Sequence, residues 1–293
     1  MKNKIAIILS LLFMSVIAYY GHNWVINMDD KESKLRNSRL KPIIFIPGSN
    51  ADINRFNSLI SKLNNTEPKH SILKVQVNTD GSLDYFGSLN SKDLRPFIVI
   101  GFKNNNDGYS NIKKQYEWLN IAMNDLQTRY HFKNFQAIGH SNGGLIWTGF
   151  LENGYDEDKF QISDFMSLGT PYNFSETSPT RPTVILKEYI ENKNKLPKNL
   201  SVYSIAGTED YTDDGVVPVQ SVMAGKYIFQ KQVKLFTQIT VSGEEAQHSN
   251  LPENDEVISL IQEYLLKTFK SKGKNNFPNC KMKLATSGKK FSH

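Results

Sequence analysis

The segment 135–145 constrains the fold of this chain more than any other part of the sequence. It reads Phe-Gln-Ala-Ile-Gly-His-Ser-Asn-Gly-Gly-Leu. An apolar run leads into Gly-x-Ser-x-Gly, centred on Ser141, and the residues that follow are typical of a helix. A serine on a very tight strand-to-helix turn needs flanking glycines, because neighbouring backbone passes too close for a Cβ atom. The motif alone is equally compatible with an ordinary glycine-rich turn. The strand and helix patterns on its two sides favour a nucleophile elbow, with Ser141 at the end of a buried strand.

Strand and helix patterns alternate along the rest of the chain. Short apolar runs bounded by turn residues predict strands, and amphipathic stretches with a 3.6-residue period predict helices. The predicted strands are residues 43–46, 71–77, 96–102, 135–139, 162–168, 200–207 and 235–241, and the predicted helices are 56–63, 112–130, 219–229 and 252–267, with a polar loop or hairpin at 80–93. This alternation predicts an α/β fold, in which a mostly parallel central sheet is covered by helices on both faces.

The chain divides into four parts. Residues 1–20 combine a short basic start with a continuous apolar run, which predicts either a cleaved export signal or a retained membrane anchor. Residues 21–40 are a polar linker, 41–270 form the folded domain, and 271–293 are a basic, flexible tail. Within the domain, residues 172–199 hold several prolines around a short helical pattern, and are either a cap over the site or an ordinary surface connection.

Composition excludes several classes of site. The single cysteine, Cys280, rules out an intramolecular disulfide framework, and no Cys-x-x-Cys or His-Glu-x-x-His pattern suggests a metal site. No cofactor is expected, and no motif points to nucleic acid. The formal charge of +6 is best explained by solvated lysines in the linker and tail. The alternative is attraction to anionic lipid headgroups or wall polymers.

A serine hydroxyl needs a base to become a nucleophile at neutral pH. Of the six histidines, His248 is best placed, because it lies between the last predicted strand and the last predicted helix, where a loop leaves the carboxyl edge of the sheet. His140 is adjacent to Ser141 in sequence, so the tight turn points its side chain elsewhere and we expect it to line the elbow. His248 is therefore the predicted base, and a surface loop histidine is the alternative.

The acid partner is expected on the loop after the strand at 200–207, between the serine and the histidine in the chain. This loop carries four carboxylates. Asp214 is favoured because the Gly215 that follows permits a tight turn, and Asp210 is the alternative. A hard-cation site built on these carboxylates is disfavoured, because their spacing fits no standard calcium loop.

An oxyanion intermediate needs two backbone donors. The N–H of Asn142, directly after the predicted nucleophile, is one candidate. Ser49, on the turn after the strand at 43–46, is the other. That turn is also compatible with a plain strand-to-helix connection.

Five motifs, taken in order, resemble the α/β-hydrolase superfamily. They are Ile-Pro-Gly-Ser, Gly-His-Ser-Asn-Gly-Gly, Gly-Thr-Pro, Asp-Gly-Val-Val-Pro and Ala-Gln-His-Ser, and they span residues 41–268. The combination is most similar to the predicted cell-surface α/β hydrolases of Gram-positive bacteria. That resemblance implies a serine-hydrolase triad in the order Ser141, Asp214 and His248, an N-terminal export segment and no cofactor. One departure is Pro47-Gly48, where many relatives carry His-Gly.

The resemblance and the residues together predict a serine esterase or lipase-like hydrolase that forms an acyl-enzyme. Its expected partner is a small-molecule or lipid ester, with membrane contact through the N-terminal segment. Its expected location is extracellular, or at the outer face of the cytoplasmic membrane. Acyl transfer and amide cleavage are compatible with the same triad, and a non-catalytic surface binding module is the alternative from another class.

Overall fold

The computed structural model describes residues 12–24, 39–65, 68–90, 92–178 and 180–266. Residues 1–11 of the predicted export segment, most of the predicted linker and the whole predicted tail lie outside these ranges. Residues 12–24 are helical, with mostly exposed side chains. Among the described residues, no helix is both long enough and apolar enough to cross a membrane.

An eight-stranded sheet forms the centre of the domain. Its strands are β1 (Ile43–Ile46), β2 (Ile72–Val77), β3 (Leu83–Gly87), β4 (Phe97–Phe102), β5 (Asn134–His140), β6 (Gln161–Leu168), β7 (Ser201–Thr208) and β8 (Leu235–Ser242). They are ordered β3-β2-β4-β1-β5-β6-β7-β8, and every neighbouring pair is parallel except β2 and β3, which form an antiparallel hairpin. The fold is therefore the predicted α/β architecture with a mostly parallel sheet.

Helices cover both faces of the sheet. They are α1 (Asn57–Leu63), α2 (Tyr109–Tyr130), α3 (Asn142–Asn153), α4 (Val184–Asn192), α5 (Val219–Met223), α6 (Lys226–Phe229) and α7 (Asp255–Ile261). Alternate residues of β1 point to opposite faces: Ile44 packs in one apolar cluster with α2, α3, α4 and α6, whereas Phe45 packs in the other with α1 and α7. Strands buried on both faces explain the continuous apolar runs that predicted them.

β1 and β5 are neighbouring strands of the sheet. The chain leaves β1 toward one face of the sheet and leaves β5 toward the other face. The helix that follows β1 packs in one apolar cluster, and the helix that follows β5 packs in the other. A crevice at the carboxyl ends of two such strands is where open α/β sheets bind their ligands. Ser49, after β1, and Ser141, after β5, line one cavity there.

Two predicted helices differ from the observed elements. The pattern at 219–229 forms two short helices, α5 and α6, instead of one. The last helix begins later than predicted, because the side chain of Asn254 accepts hydrogen bonds from the N–H groups of Glu256 and Val257, at 2.9 and 3.2 Å, and so caps α7. A 3-10 turn at Leu251–Glu253 precedes that cap.

Glu152, near the end of α3, is a buried carboxyl group outside the candidate site. Neither of its side-chain oxygens has a hydrogen-bond partner among the described residues. Burial raises its pKa from the ordinary 4.5 to about 9, against a smaller opposing effect of the Lys195 charge, and Glu188 raises it slightly further. The folded protein therefore holds this carboxyl protonated at neutral pH, whereas the unfolded chain does not.

The contribution of Glu152 to the free energy of unfolding is expected to fall as the pH rises, because unfolding releases the Glu152 proton at any pH between its unfolded and folded pKa values. This contribution is fully retained below pH 4.5 and is lost progressively toward pH 9. Its upper limit is about 1.4 kcal/mol per pH unit. Glu152→Gln cannot ionise, so its unfolding free energy relative to wild type should rise by about 2–4 kcal/mol between pH 5 and pH 8.

Urea unfolding at both pH values measures this difference. The matched control is Glu157→Gln, because Glu157 is exposed nearby on the loop after α3. A constant difference between the Glu152 variant and wild type across this pH range would show that the carboxyl is already ionised in the folded protein.

Candidate active site

Ser141 occupies a strained turn between β5 and α3. Its backbone lies at φ 55° and ψ −130°, a region that L-residues seldom adopt. Its N–H donates to the carbonyl of Leu168 at the end of β6, at 2.8 Å, and so ties the turn to the neighbouring strand. A Cβ atom at Gly143 would lie 2.1 Å from the Ile46 carbonyl oxygen, and one at Gly139 would lie 2.6 Å from the Gly143 backbone. The flanking glycines are therefore required by close backbone contacts, as the motif predicts.

Asp214 and His248 form a direct pair. The Nδ1 atom of His248 lies 2.7 Å from Oδ2 of Asp214, whose side chain is buried. The other carboxylate oxygen accepts from the N–H groups of Val216 and Val217, at 3.1 and 2.7 Å, and the His248 N–H donates to the Asp214 carbonyl at 2.8 Å. Both oxygens of Asp214 are thus held, and the loop that carries His248 is fixed to the loop that carries its partner.

Asp210, the alternative acid, lies elsewhere on the same loop. Its Oδ1 atom accepts from the N–H and hydroxyl of Thr212, at 3.0 and 2.5 Å, and these hydrogen bonds lower its pKa. Its side chain is exposed and makes no hydrogen bond to His248. The structure therefore brings Asp214, and not Asp210, to the histidine.

The serine turn and the Asp–His pair meet around the end of β6. Ser141 is bonded to Leu168, and the next residue, Gly169, has a φ of 55°. A Cβ atom there would lie 3.1 Å from both Asp214 Oδ2 and His248 Nδ1, so the pair leaves little room for a side chain at Gly169. The three residues predicted from distant parts of the chain thus gather at the carboxyl edge of the sheet.

The His140 side chain bonds to the backbone of the loop that carries His248. Its Nε2–H donates to the His248 carbonyl at 2.9 Å, and the two ring centroids lie 4.8 Å apart. Burial lowers the pKa of His140 well below its usual value, and the charges of His248 and Arg55 lower it further. A neutral ring with its proton on Nε2 therefore holds the backbone of His248. The sequence predicted only that His140 lines the elbow, since this contact joins residues on separate loops.

The two residues predicted to supply the oxyanion donors, Ser49 and Asn142, line one cavity. Asn142 is the first residue of α3, so its N–H has no acceptor within the helix. A Cβ atom at Gly48 would lie 2.5 Å from the Cβ of Ser141, which shows how closely the turn before Ser49 passes the serine. The cavity has a volume of about 340 Å³ and is lined by Ser49, Asp107, Gly108, Ser141, Asn142, Pro171, Phe174, Ser175, Val216 and Val217.

Two other carboxylates of the acidic loop bond to groups of the protein. Glu209 accepts from the Gln247 amide at 2.7 Å, and Asp213 accepts from the Gly215 N–H at 2.8 Å. Across the part of the chain that the structure describes, no group of three or more His, Cys, Asp or Glu side chains is placed to hold a metal ion.

The segment at 172–199 contributes to both the site and the core. Phe174 and Ser175 line the cavity beside Ser141. Further along, α4 buries Leu186 and Tyr189, and the Tyr189 hydroxyl donates to the Leu145 carbonyl of α3 at 2.8 Å. Its first part therefore forms one wall of the cavity, and its helix packs against the helix that follows the serine.

Comparison with known proteins agrees with this fold. Residues 30–268 match the family described as "Alpha/beta hydrolase of unknown function (DUF915)". A crystal structure from Lactobacillus plantarum WCFS1, named as that of a cell surface hydrolase, is 54% identical over 78% of this chain and 92% of its own, with a TM-score of 0.72. The crystal structure of a Listeria innocua gene product is 28% identical over 79% of this chain and 96% of its own, with a TM-score of 0.70. No curated protein matches the sequence. The chain therefore belongs to this family of α/β hydrolases.

Proposed function

We propose that this protein is a serine hydrolase that cleaves carboxylic esters through an acyl-enzyme. One observation carries the proposal. Buried Asp214 and partly buried His248 are joined at 2.7 Å next to the end of β6, and the strained turn that carries Ser141 is hydrogen-bonded to that same strand end. Strain of this kind persists only where the surrounding structure enforces it, and it is concentrated at functional sites.

We infer the role of each residue from the hydrogen bonds around Asp214 and His248. Asp214 accepts from His248 Nδ1–H, which leaves Nε2 without a proton and able to accept one from the Ser141 hydroxyl. The serine oxygen then bonds to the ester carbonyl carbon, and the carbonyl oxygen becomes an oxyanion bound by the N–H groups of Asn142 and Ser49. His248 returns the proton to the leaving alcohol as the C–O bond breaks.

The second half of the reaction reverses these roles. Water gives its proton to His248 and adds to the acyl carbonyl. The second tetrahedral intermediate then collapses, and His248 returns the proton to the Ser141 oxygen as its bond to the acyl carbon breaks, which releases the carboxylic acid and free Ser141. Asp214 stabilises the imidazolium in both halves. The rigid support of His248 by the His140 side chain keeps the base at one position throughout.

The cavity favours short acyl groups. Its volume of about 340 Å³ is near the lower limit of small-molecule sites, roughly 300–1,000 Å³. Pro171, Phe174, Val216 and Val217 supply an apolar wall against which an acyl chain can pack. We infer that acetyl and butyryl esters are better substrates than long-chain lipid esters.

We further propose that the enzyme acts outside the cytoplasm. Two features support this location: the apolar character of residues 1–20 and the likeness to a Lactobacillus plantarum protein named as a cell surface hydrolase. The same segment would provide any membrane contact.

The decisive experiment measures hydrolysis of acetyl, butyryl, octanoyl and palmitoyl p-nitrophenyl esters, together with labelling by a fluorophosphonate probe. We expect turnover that falls with chain length, and a phosphonyl adduct mapped by peptide mass spectrometry to Ser141. Heat-denatured protein is the control for non-specific labelling. Absence of both turnover and labelling would refute the proposal and favour a surface binding module on this fold, whereas labelling at another residue would refute the assignment of the nucleophile.

A further inference from the structure

Asp107 is the one charged side chain among the residues that line the cavity beside Ser141. Its Oδ1 atom accepts from the side-chain Nδ2 of Asn142 at 2.6 Å and from the N–H of Gly108 at 2.7 Å. Asn142 is buried and directly follows the nucleophile. The carboxylate is therefore fixed one side chain away from the oxyanion site.

The charge of Asp107 has no partner within the described part of the chain. None of the ion pairs found there includes this residue, and its Oδ2 atom makes no hydrogen bond. The other lining residues are small, apolar or neutral. A substrate bound in this cavity thus meets a single fixed negative charge.

We propose that Asp107 is a specificity-determining residue that selects substrates with a positively charged amine near the scissile carbonyl. This inference rests on the proposed function of the same site. A cationic group in the cavity gains Coulomb attraction from the carboxylate, whereas an anionic group is repelled. Because Asp107 is exposed, water screens part of this attraction, and the expected preference is roughly three- to tenfold.

A purely structural role for Asp107 is separable from this one. Its two hydrogen bonds tie the loop before α2 to the elbow, and an asparagine side-chain oxygen can accept both of them. Asp107→Asn therefore removes the charge while keeping the hydrogen bonds. The comparison of substrates that differ only in charge then isolates the electrostatic effect.

The test uses two pairs of isosteric substrates, and in each pair one member carries a permanent positive charge and the other is neutral. Acetylthiocholine and 3,3-dimethylbutyl thioacetate differ in charge on the leaving group. The p-nitrophenyl esters of trimethylglycine and of 3,3-dimethylbutanoic acid differ in charge on the acyl group. The measured quantity is the cationic-to-neutral ratio of kcat/KM, compared between wild type and Asp107→Asn, so that differences in intrinsic ester reactivity and any general loss of activity cancel.

We expect this ratio to fall roughly three- to tenfold in Asp107→Asn for at least one pair, and the affected pair shows on which side of the carbonyl the amine binds. The matched control is Asp80→Asn, an aspartate with a similar local hydrogen bond to the N–H of Ser82 on the turn between β2 and β3. An unchanged ratio for both pairs, with turnover that still depends on Ser141, would overturn this inference and leave the proposed function intact. Absence of Ser141-dependent turnover for all four esters would overturn both.

Discussion

Replacing Ser141 with alanine is expected to lower kcat for ester hydrolysis by about 10⁴-fold or more, because the variant lacks the hydroxyl proposed to form the acyl-enzyme. His248→Ala should lower kcat by a similar factor, since the serine then has no base. The assay is steady-state hydrolysis of p-nitrophenyl butyrate. Ser259→Ala is the matched control, because Ser259 is an exposed serine on α7 whose hydroxyl bonds only to the carbonyl of Asp255 among the described residues.

The double variant gives a sharper result than either single change. Residues that act as a unit in one step show strongly non-additive losses, so the Ser141 and His248 substitutions together should cost no more than one of them alone. Losses that multiply would show that the serine and the histidine act in independent steps. Retention of more than about a hundredth of wild-type kcat by Ser141→Ala would exclude this serine as the nucleophile.

The elbow could be predicted from sequence because all its determinants are local. An apolar strand, the glycines at 139, 143 and 144, and a helix pattern stand together in one short segment. The structure supplies the physical reason for the glycines: a Cβ atom at Gly144 would lie 2.0 Å from the Thr170 hydroxyl, and one at Gly143 would meet the backbone of β1. The parallel sheet was predictable for a similar reason, since strands buried on both faces are continuously apolar.

The supporting contacts of the site could not be predicted, because each joins side chains from separate loops. The hydrogen bond from His140 to the His248 carbonyl depends on the positions of β5 and of the loop after β8. The bond between Asp107 and Asn142 likewise depends on how the loop before α2 folds over the elbow. The sequence shows both residues only as a histidine beside a serine and an aspartate in a polar loop.

The preference for Asp214 over Asp210 shows how far a local signal in the sequence reaches. Gly215, which favoured Asp214 in the sequence, adopts a φ of 86°. This conformation lets the chain turn back so that the two following N–H groups bond to the Asp214 carboxylate. The signal identified a turn, but only the fold shows that this turn points at His248.

Asp214→Asn is expected to lower kcat by about 10³- to 10⁴-fold while preserving the fold. The asparagine oxygen should keep the two hydrogen bonds from the N–H groups of Val216 and Val217, which places its NH₂ group against Nδ1 of His248. An NH₂ donor there requires Nδ1 to be an acceptor, so the imidazole proton moves to Nε2. The base then cannot accept the Ser141 proton.

Asp210→Asn is the matched comparison, because it makes the same chemical change on the same loop at a carboxylate bonded to Thr212 instead of histidine. We expect its kcat to stay within about threefold of wild type. Urea unfolding of both variants separates loss of activity from loss of folded protein. If Asp210→Asn lost more activity than Asp214→Asn, the acid role would belong to Asp210 and the pair seen at 2.7 Å would be structural. The two isosteric substitutions thus decide whether the tautomer of His248 is set by the buried carboxylate, which the whole mechanism requires.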